Sequence, residues 1–275
     1  MRGNRIGRWI IAVPMAVLAI ATVYPLLFTA NAAMKTRRDY ILDRLSLTDA
    51  LRWDNITNAW TSAGMGRYFV NSLVVVTGAV ALLLLFGSMA GFALSHLRFR
   101  GSRAVFLACL AALFVPFQVI MVPLVRTMAD AGLVDTYPGL VLAYVAQFLP
   151  FTIYLMASYY SGIPRDIVDA ARIDGNSTYG VYGRIMLPIG RPALISVGVL
   201  DALFCWNDVL IALLLMPSAE HRTLMVGVTS LRGQYSADIP TFASGVLIAA
   251  VPVLAVYLFF QRRIADAITA GSTKG

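Results

Sequence analysis

The residue types that carry enzyme chemistry are few in this chain and poorly spaced for it. Its two histidines, His96 and His221, and its two cysteines, Cys109 and Cys205, form no cluster. There is no GxxxxGKS/T loop to cradle nucleotide phosphates and no HExxH pair to hold zinc. Nothing here reads as able to hydrolyse ATP or hold a catalytic metal. Two groups of residues do suggest work of another kind. Asp201 and Asp208 stand in an apolar stretch, seven apart, so a helix puts them on one face two turns apart, with Phe204 and Cys205 between them. Residues 161–192, SGIPRDIVDAARIDGNSTYGVYGRIMLPIGRP, form an isolated polar segment.

The elements that must position these residues are apolar blocks. Of the 275 residues, 59% are hydrophobic and 13% charged, and mean hydropathy is +0.75. A soluble domain carries about 25% charge, so a cytosolic globule and a disordered chain are both excluded. Six blocks stand out, at 9–30, 68–94, 104–125, 138–160, 193–216 and 241–260. Each is long enough to cross a hydrocarbon core of about 30 Å as a helix. Six crossings place both termini on one side. With that side cytoplasmic, the inner segments, among them Arg2, Arg98 and Lys274, hold 13 of the 22 basic residues. This positive-inside bias accounts for the net charge of +8 without nucleic acid. The first block exceeds the roughly 7–15 residues of a signal-peptide core and reads as a retained span. Cys109 and Cys205 differ in membrane depth by roughly 10 Å, which argues against a disulfide and for small packing residues.

The polar segment 161–192 has helical grammar. Pro164 suits a first helical position, and Asp166 faces the positive end of the helix dipole. Ile167, Ala170, Ala171 and Asp174 recur at helical spacing, and Gly175 is placed to end the helix. The expectation is a helix of about three turns lying parallel to the membrane, with two alanines admitting a closely packed partner. A second helical stretch over 177–186 then meets Leu187-Pro188, where proline should break it before the fifth span.

On these residues the chain resembles the permeases of ABC importers. Asp169-Ala170-Ala171, Asp174-Gly175, Ile185, Leu187-Pro188 and Pro192 match their EAA loop, with Asp169 where that pattern has glutamate. Asn71-Ser72, Trp206-Asn207-Asp208, Gln261-Arg262, Thr269-Ala270-Gly271 and Lys274-Gly275 resemble the carbohydrate-uptake branch, in particular the second, six-span permease of maltose-type systems. The resemblance implies an all-α, polytopic membrane fold of the type I importer kind. It implies a homologous second permease, two ATP-binding subunits that carry ATP and Mg, and an extracytoplasmic solute-binding protein. This chain would itself bind no cofactor, and would sit in a bacterial inner membrane with both termini cytoplasmic. Asp169, Ala170, Ala171, Asp174, Gly175, Leu187 and Pro188 would then couple it to the ATPase.

The division of labour follows. Residues 1–66 hold the first span and an outer loop, 67–262 the permease core, and 263–275 a cytoplasmic tail. Candidates for the substrate path are Asp201, Asp208, Asn207, Gln118, Gln147 and Tyr144, with Tyr154 and Trp206 as further aromatic faces. A charge near mid-bilayer costs about 2.5–3.5 kcal/mol, so the two aspartates must face protein or water. They line a path for hydroxylated substrate or make an interhelical ion pair, and both readings stand. Gln118 and Gln147 lie on proline-bearing spans whose kinks free carbonyls, whereas Gly87 and Gly91 read as a close-packing GxxxG. In the outer loop, Arg37, Arg38 and the tryptophans Trp53 and Trp60 serve either to dock the solute-binding protein or as solvated surface. The function expected is half of an ATP-driven pore for a sugar or sugar derivative. The alternative from another class is a stand-alone ion-coupled secondary transporter with Asp201 as its ion site; a membrane-embedded enzyme lacks any catalytic cluster.

Overall fold

The computed structural model describes residues 5–48, 51–97, 99–234 and 238–272, with the backbone alone for 5–11, 232–234 and 262–272. Arg2, Arg98, Lys274 and Gly275 lie outside the described residues. The described residues form helices joined by turns and loops, and contain no strand. In chain order the elements are α1 (Arg5–Ala33), α2 (Arg37–Leu42), α3 (Asp54–Thr61), α4 (Met65–His96), α5 (Ser102–Ala112), α6 (Phe117–Asp130) and α7 (Tyr137–Ser161). They continue with α8 (Arg165–Ile173), α9 (Thr178–Val181), a π-helical segment (Tyr182–Met186), α10 (Leu187–Ile189), α11 (Arg191–Asn207), α12 (Leu210–Leu215), α13 (Leu224–Gln234) and α14 (Ile239–Ser272).

Among the described residues, four stretches are single helices long and apolar enough to cross a membrane: Ala12–Ala33, Met65–His96, Tyr137–Ser161 and Ile239–Gln261. The third and fifth expected spans differ from straight crossings. The third turns through 101° between α5 and α6, where Pro116 takes an extended ψ of 133° and caps α6. Proline has no N–H to continue the helix, and it pushes the preceding residue out of the α region. The fifth stops at Asn207; Asp208 is extended (φ −67°, ψ 135°) and the helix resumes only at Leu210. A further turn of 76° separates the α9–α10 stretch from α11. It falls at Gly190 rather than at Pro188, which sits comfortably in the first turn of α10.

The chain forms two compact units. In the first, Met1–Gly66 with Gly227–Pro252, Ala32 and Ala33 pack on Ala243. Its loop between α1 and α3 is folded by buried polar staples. Lys35 Nζ donates to Asp43 O (2.7 Å) and Ser46 Oγ (2.9 Å), and Asn55 Nδ2 to Ala33 O and Lys35 O (both 2.8 Å). Asp43 in turn accepts from the Ser46 and Leu45 amides, which lowers its pKa. Trp53 and Trp60 stay exposed, and α1 presents an apolar surface that the chain itself leaves open from Ala12 to Leu27.

The second unit, Arg67–Val226 with Val253–Gly275, has a core of Val75, Ala79 and Leu83 from α4, Leu140, Ala143 and Tyr144 from α7, and Ile211, Ala212 and Leu215 from α12. Helices associate in lipid through close packing of small residues rather than by the hydrophobic effect. The GxxxG on α4 does this against α7. A Cβ on Gly87 would lie 2.5 Å from Thr152 Cγ2, and one on Gly91 2.7 Å from Met156 Cβ and 2.8 Å from the Ala157 backbone nitrogen. Cys109 and Cys205 are both free thiols.

Candidate coupling surface and intramembrane polar seam

The α8 loop is defined by its own residues. Pro164 caps the helix with an extended ψ of 136°, one position before the first helical residue, and Asp166 in the first turn and Arg172 in the last complement the dipole. The C-terminus closes as a Schellman motif: Gly175 N–H donates to Arg172 O (3.0 Å) and Asn176 N–H to Ala171 O (3.1 Å). Gly175 has φ +83° and no atom within 4 Å of where its Cβ would be. Glycine is therefore needed for conformation and not for room.

Burial separates the two alanines of the loop. Val168 and Ala171 face inward, onto a cluster with Phe92, Tyr160, Val181 and Met186. Asp169, Ala170, Asp174 and Gly175 face outward. So the face open to a partner contains Ala170, while Ala171 is spent on the chain's own core. Two large apolar side chains that the sequence did not single out join the open surface, Ile173 at 86% exposure and Tyr179 at 79%. Leu187, half-buried, and Pro188, exposed, belong to α10, beyond the π-helical segment. The loop is tied to the membrane helices by polar contacts, Tyr182 OH with Ser88 Oγ (2.7 Å), Tyr159 OH to Ile189 O (3.1 Å) and His96 Nε2 with Ile163 O (3.3 Å).

The two intramembrane aspartates both turn towards α7 but do different things there. Asp201, with 0% exposure, meets the Thr152 hydroxyl at 3.0 and 3.2 Å from its two oxygens. Asp208 stands in the helix break. Its carboxylate accepts from Tyr144 OH (3.1 Å) and the Ala212 amide (3.0 Å), capping the start of α12. Thr152 and Tyr144 are eight apart on α7, two turns, so the shared face expected for the aspartates survives even though their common helix does not. Thr152 carries no sequence signal that could have paired it with Asp201, 49 positions away.

The other path candidates are dispersed. Gln147 is half-buried on α7, Gln118 is exposed in the first turn of α6, and Asn207 is exposed, with its amide back-bonded to Leu203 O at 2.8 Å. Trp206 is buried with Phe69 edge-on at 5.7 Å, and Tyr154 lies against Phe106. Among the described residues no group of His, Cys, Asp and Glu could hold a metal ion.

At the other end of this unit, Asn71 and Ser72 fasten the loop after α12. Asn71 Nδ2 donates to Glu220 O (2.8 Å) and Arg222 O (2.9 Å), Tyr137 OH donates to Asn71 Oδ1 (2.8 Å), and Leu224 N–H donates to Ser72 Oγ (2.8 Å). Asp135, at φ +61°, adds a latch to Ser218 Oγ (2.9 Å) and His221 Nδ1 (3.1 Å). Burial pushes its carboxyl pKa up, but the hydrogen bonds from Ser218 and His221 outweigh this and lower it overall.

Residues 83–269 match the family described as Binding-protein-dependent transport system inner membrane component. The diacetylchitobiose uptake system permease protein NgcG of Streptomyces coelicolor is 34% identical over 92% of this chain and 85% of its own length. The arabinooligosaccharides transport system permease protein AraQ of Halalkalibacterium halodurans is 32% identical over 97% and 96%. In fold the chain is similar to a chain of a bacterial alginate ABC transporter crystallised with an alginate pentasaccharide-bound periplasmic protein. The TM-score is 0.66 at 16% identity, covering 94% of this chain and 96% of that one. With the family match spanning most of the helical core, the chain belongs to the inner-membrane components of binding-protein-dependent transport systems.

Proposed function

We infer that this permease subunit forms half of the translocation pathway for a sugar or sugar derivative and receives ATP-driven motion through α8. Its companions are a homologous second permease, two ATPase subunits that carry ATP and Mg, and a solute-binding protein delivering substrate from outside. Both termini and α8 lie on the cytoplasmic side. The substrate class rests on relatives named for diacetylchitobiose and arabinooligosaccharide uptake. The coupling role rests on one observation above all: a capped, amphipathic helix that seats Val168 and Ala171 inward and leaves Ala170, Ile173 and Asp169 open beside Tyr179.

In this reading ATP binding closes the ATPase pair, and α8 moves with the socket that holds it. The polar seam of Asp201, Thr152, Tyr144 and Asp208 ties α7 to the fifth span, so α7 and α11 move together. Hydroxyl-bearing substrate meets the exposed Asn207 beside the part-exposed Asp208 at the helix break, where the interrupted helix leaves backbone carbonyls to accept hydrogen bonds, while Tyr144 holds Asp208 from within the core. Isolation through a tag on this chain tests the assembly. The expected result is co-isolation of an ATPase and a second permease, with sugar uptake that stops when ATP is exhausted. Uptake that survives ATP loss but collapses with the ion gradient would instead establish the ion-coupled alternative, with Asp201 as its site.

A further inference from the structure

The loop that follows α1 has its polar groups inside and its apolar ones outside. Asn31, Lys35 and Asn55 spend their side chains on groups within the loop, and Lys35 keeps only 2% exposure. Ile41, Leu42, Leu45, Leu47, Leu51 and Trp53 instead face outward, at 61–83% exposure. Single exposed apolar residues are ordinary on a soluble surface, but a buried ammonium beneath six large exposed ones is not. The staples also fix the height of the loop. The apolar helix Ala12–Ala33 reaches about 33 Å, enough to cross a hydrocarbon core, so its last turn lies at the edge of that core. Asn31, in that turn, donates to Ser46 O (2.8 Å) and accepts from the Thr48 N–H (2.9 Å), while Thr48 Oγ1 donates to Met34 O (3.3 Å). Leu45 and Leu47 flank Ser46 and are held beside the end of α1 rather than out in water. Asn55, bound to Ala33 O and Lys35 O, does the same for Trp53 two residues before it.

Arg37, Arg38, Arg44 and Arg52 are exposed between these apolar residues, and among the described residues no carboxylate stands at ion-pair distance from them. Asp39 and Asp43 lie in the same stretch, but their carboxylates are taken up by the Thr36 hydroxyl and by the amides of Leu45 and Ser46. Guanidinium forks suit phosphate oxygens, and arginine stems reach from an apolar layer to a charged one. The apolar surface of α1, open from Ala12 to Leu27, leads up to the same level. We propose that residues 37–48 and 51–53 lie in the phospholipid headgroup layer at the end of α1, with the leucines and Trp53 towards the acyl chains and the arginines on the phosphates. Tryptophan is at home at that depth. The loop is then an interfacial anchor that fixes how deep α1 sits, and not a surface kept for a soluble partner.

The test uses the full-length chain, with whatever subunits accompany it, in nanodiscs of phosphatidylcholine and phosphatidylglycerol. A nitroxide is attached through Leu47→Cys, or through Glu220→Cys as an exposed aqueous reference, each in a Cys109→Ser/Cys205→Ser background. Electron paramagnetic resonance reads its collisions with oxygen and with a water-soluble nickel chelate. The expected result at Leu47 is chelate access several-fold below that at Glu220, with oxygen access no lower. Chelate access equal to that at Glu220 would overturn the proposal in favour of solvated surface. Low access to both reagents would overturn it in favour of cover by another protein subunit. In the chain with its own cysteines, Trp53→Phe should remove part of the fluorescence quenched by phosphatidylcholine brominated beside the headgroup. An unchanged quenched fraction would overturn the placement without recourse to the labelled variants.

Discussion

The α8 loop and the polar seam between α7 and α11 both depend on aspartates at helix positions, but they are specified over different distances along the chain. Every contact that shapes the end of α8 lies within five residues: Gly175 to Arg172, Asn176 to Ala171, Asp174 to Ala170. In the seam, Thr152 reaches Asp201 across 49 positions and Tyr144 reaches Asp208 across 64. Local closure leaves a surface free to be offered to a partner. Long-range closure uses its polar groups up internally, so Asp201 has no exposure left. The contrast teaches that a charged residue in a membrane span is not by itself a lining residue. Its partner decides.

Both regions hang on α7, so the largest effect should come from forcing it away from α4. Gly91→Val places atoms against Met156 Cβ and the Ala157 backbone, which cannot rotate aside. Overpacking of this kind costs about 3 kcal/mol or more. The expected outcome is loss of folded protein on detergent extraction, with α8 and the seam failing together. A normal yield with only one region disturbed would break the link between them.

Next in size are two substitutions that divide the neighbouring alanines. Ala170→Trp should leave thermal stability within about 0.5 kcal/mol, as exposed changes do, while abolishing ATP-driven uptake and ATPase co-isolation. Ala171→Trp should instead cost about 1–3 kcal/mol because it intrudes on Val168 and Val181. Equal behaviour of the two in both assays would show that α8 does not present the face described.

The seam is probed by removing one partner at a time. Thr152→Val leaves a buried carboxylate without its donor and should cost about 1–3 kcal/mol. Asp201→Asn keeps an acceptor for the Thr152 hydroxyl and should cost less. A double-mutant cycle followed by thermal unfolding measures the coupling, and additivity would show that the contact contributes nothing.

Gly175→Ala comes below these. With open space around the Cβ position, the cost is conformational alone, about 1 kcal/mol, and Asn should be tolerated better than Ala. Smallest is the response of the Asp135 latch to acid. Its folded pKa lies below the ordinary carboxylate value of about 3.9. Its contribution is therefore complete above the unfolded pKa and lost as pH falls through the folded one. For a part-exposed pair this amounts to less than about 1 kcal/mol. Hydrogen-exchange protection in residues 216–223, taken relative to the intrinsic rate at each pH, should fall between pH 5 and about pH 3, and Asp135→Asn should flatten the change.

These distances also explain what could be read from the sequence. The α8 helix, the positive φ of Gly175 and the close approach at Gly87 and Gly91 follow from neighbouring residue types, and hydropathy alone places the six apolar blocks. The turn at 113–116 carries a local sign in Pro116, yet its 101° depends on what the two arms pack against. The break at Asp208 has no local sign strong enough to defeat a continuous apolar run. Capping α12 and accepting from Tyr144 offset the lost helix bonds, and that exchange exists only once α7 is alongside. Which alanine faces inward likewise depends on Val181 and Met186, residues of a later turn.

The π-helical segment at Tyr182–Met186 has a consequence for comparing chains. Such a segment holds one residue more than an α-helix with the same two ends, and so it can absorb an insertion without displacing α8 or α11. A related chain one residue shorter here would join the same ends by uninterrupted α-helix, and its alignment gap belongs within these five positions. Placing that gap elsewhere would turn every side chain between the misplaced gap and the true one by about 100°, and would assign the wrong residues to the exposed face of the loop.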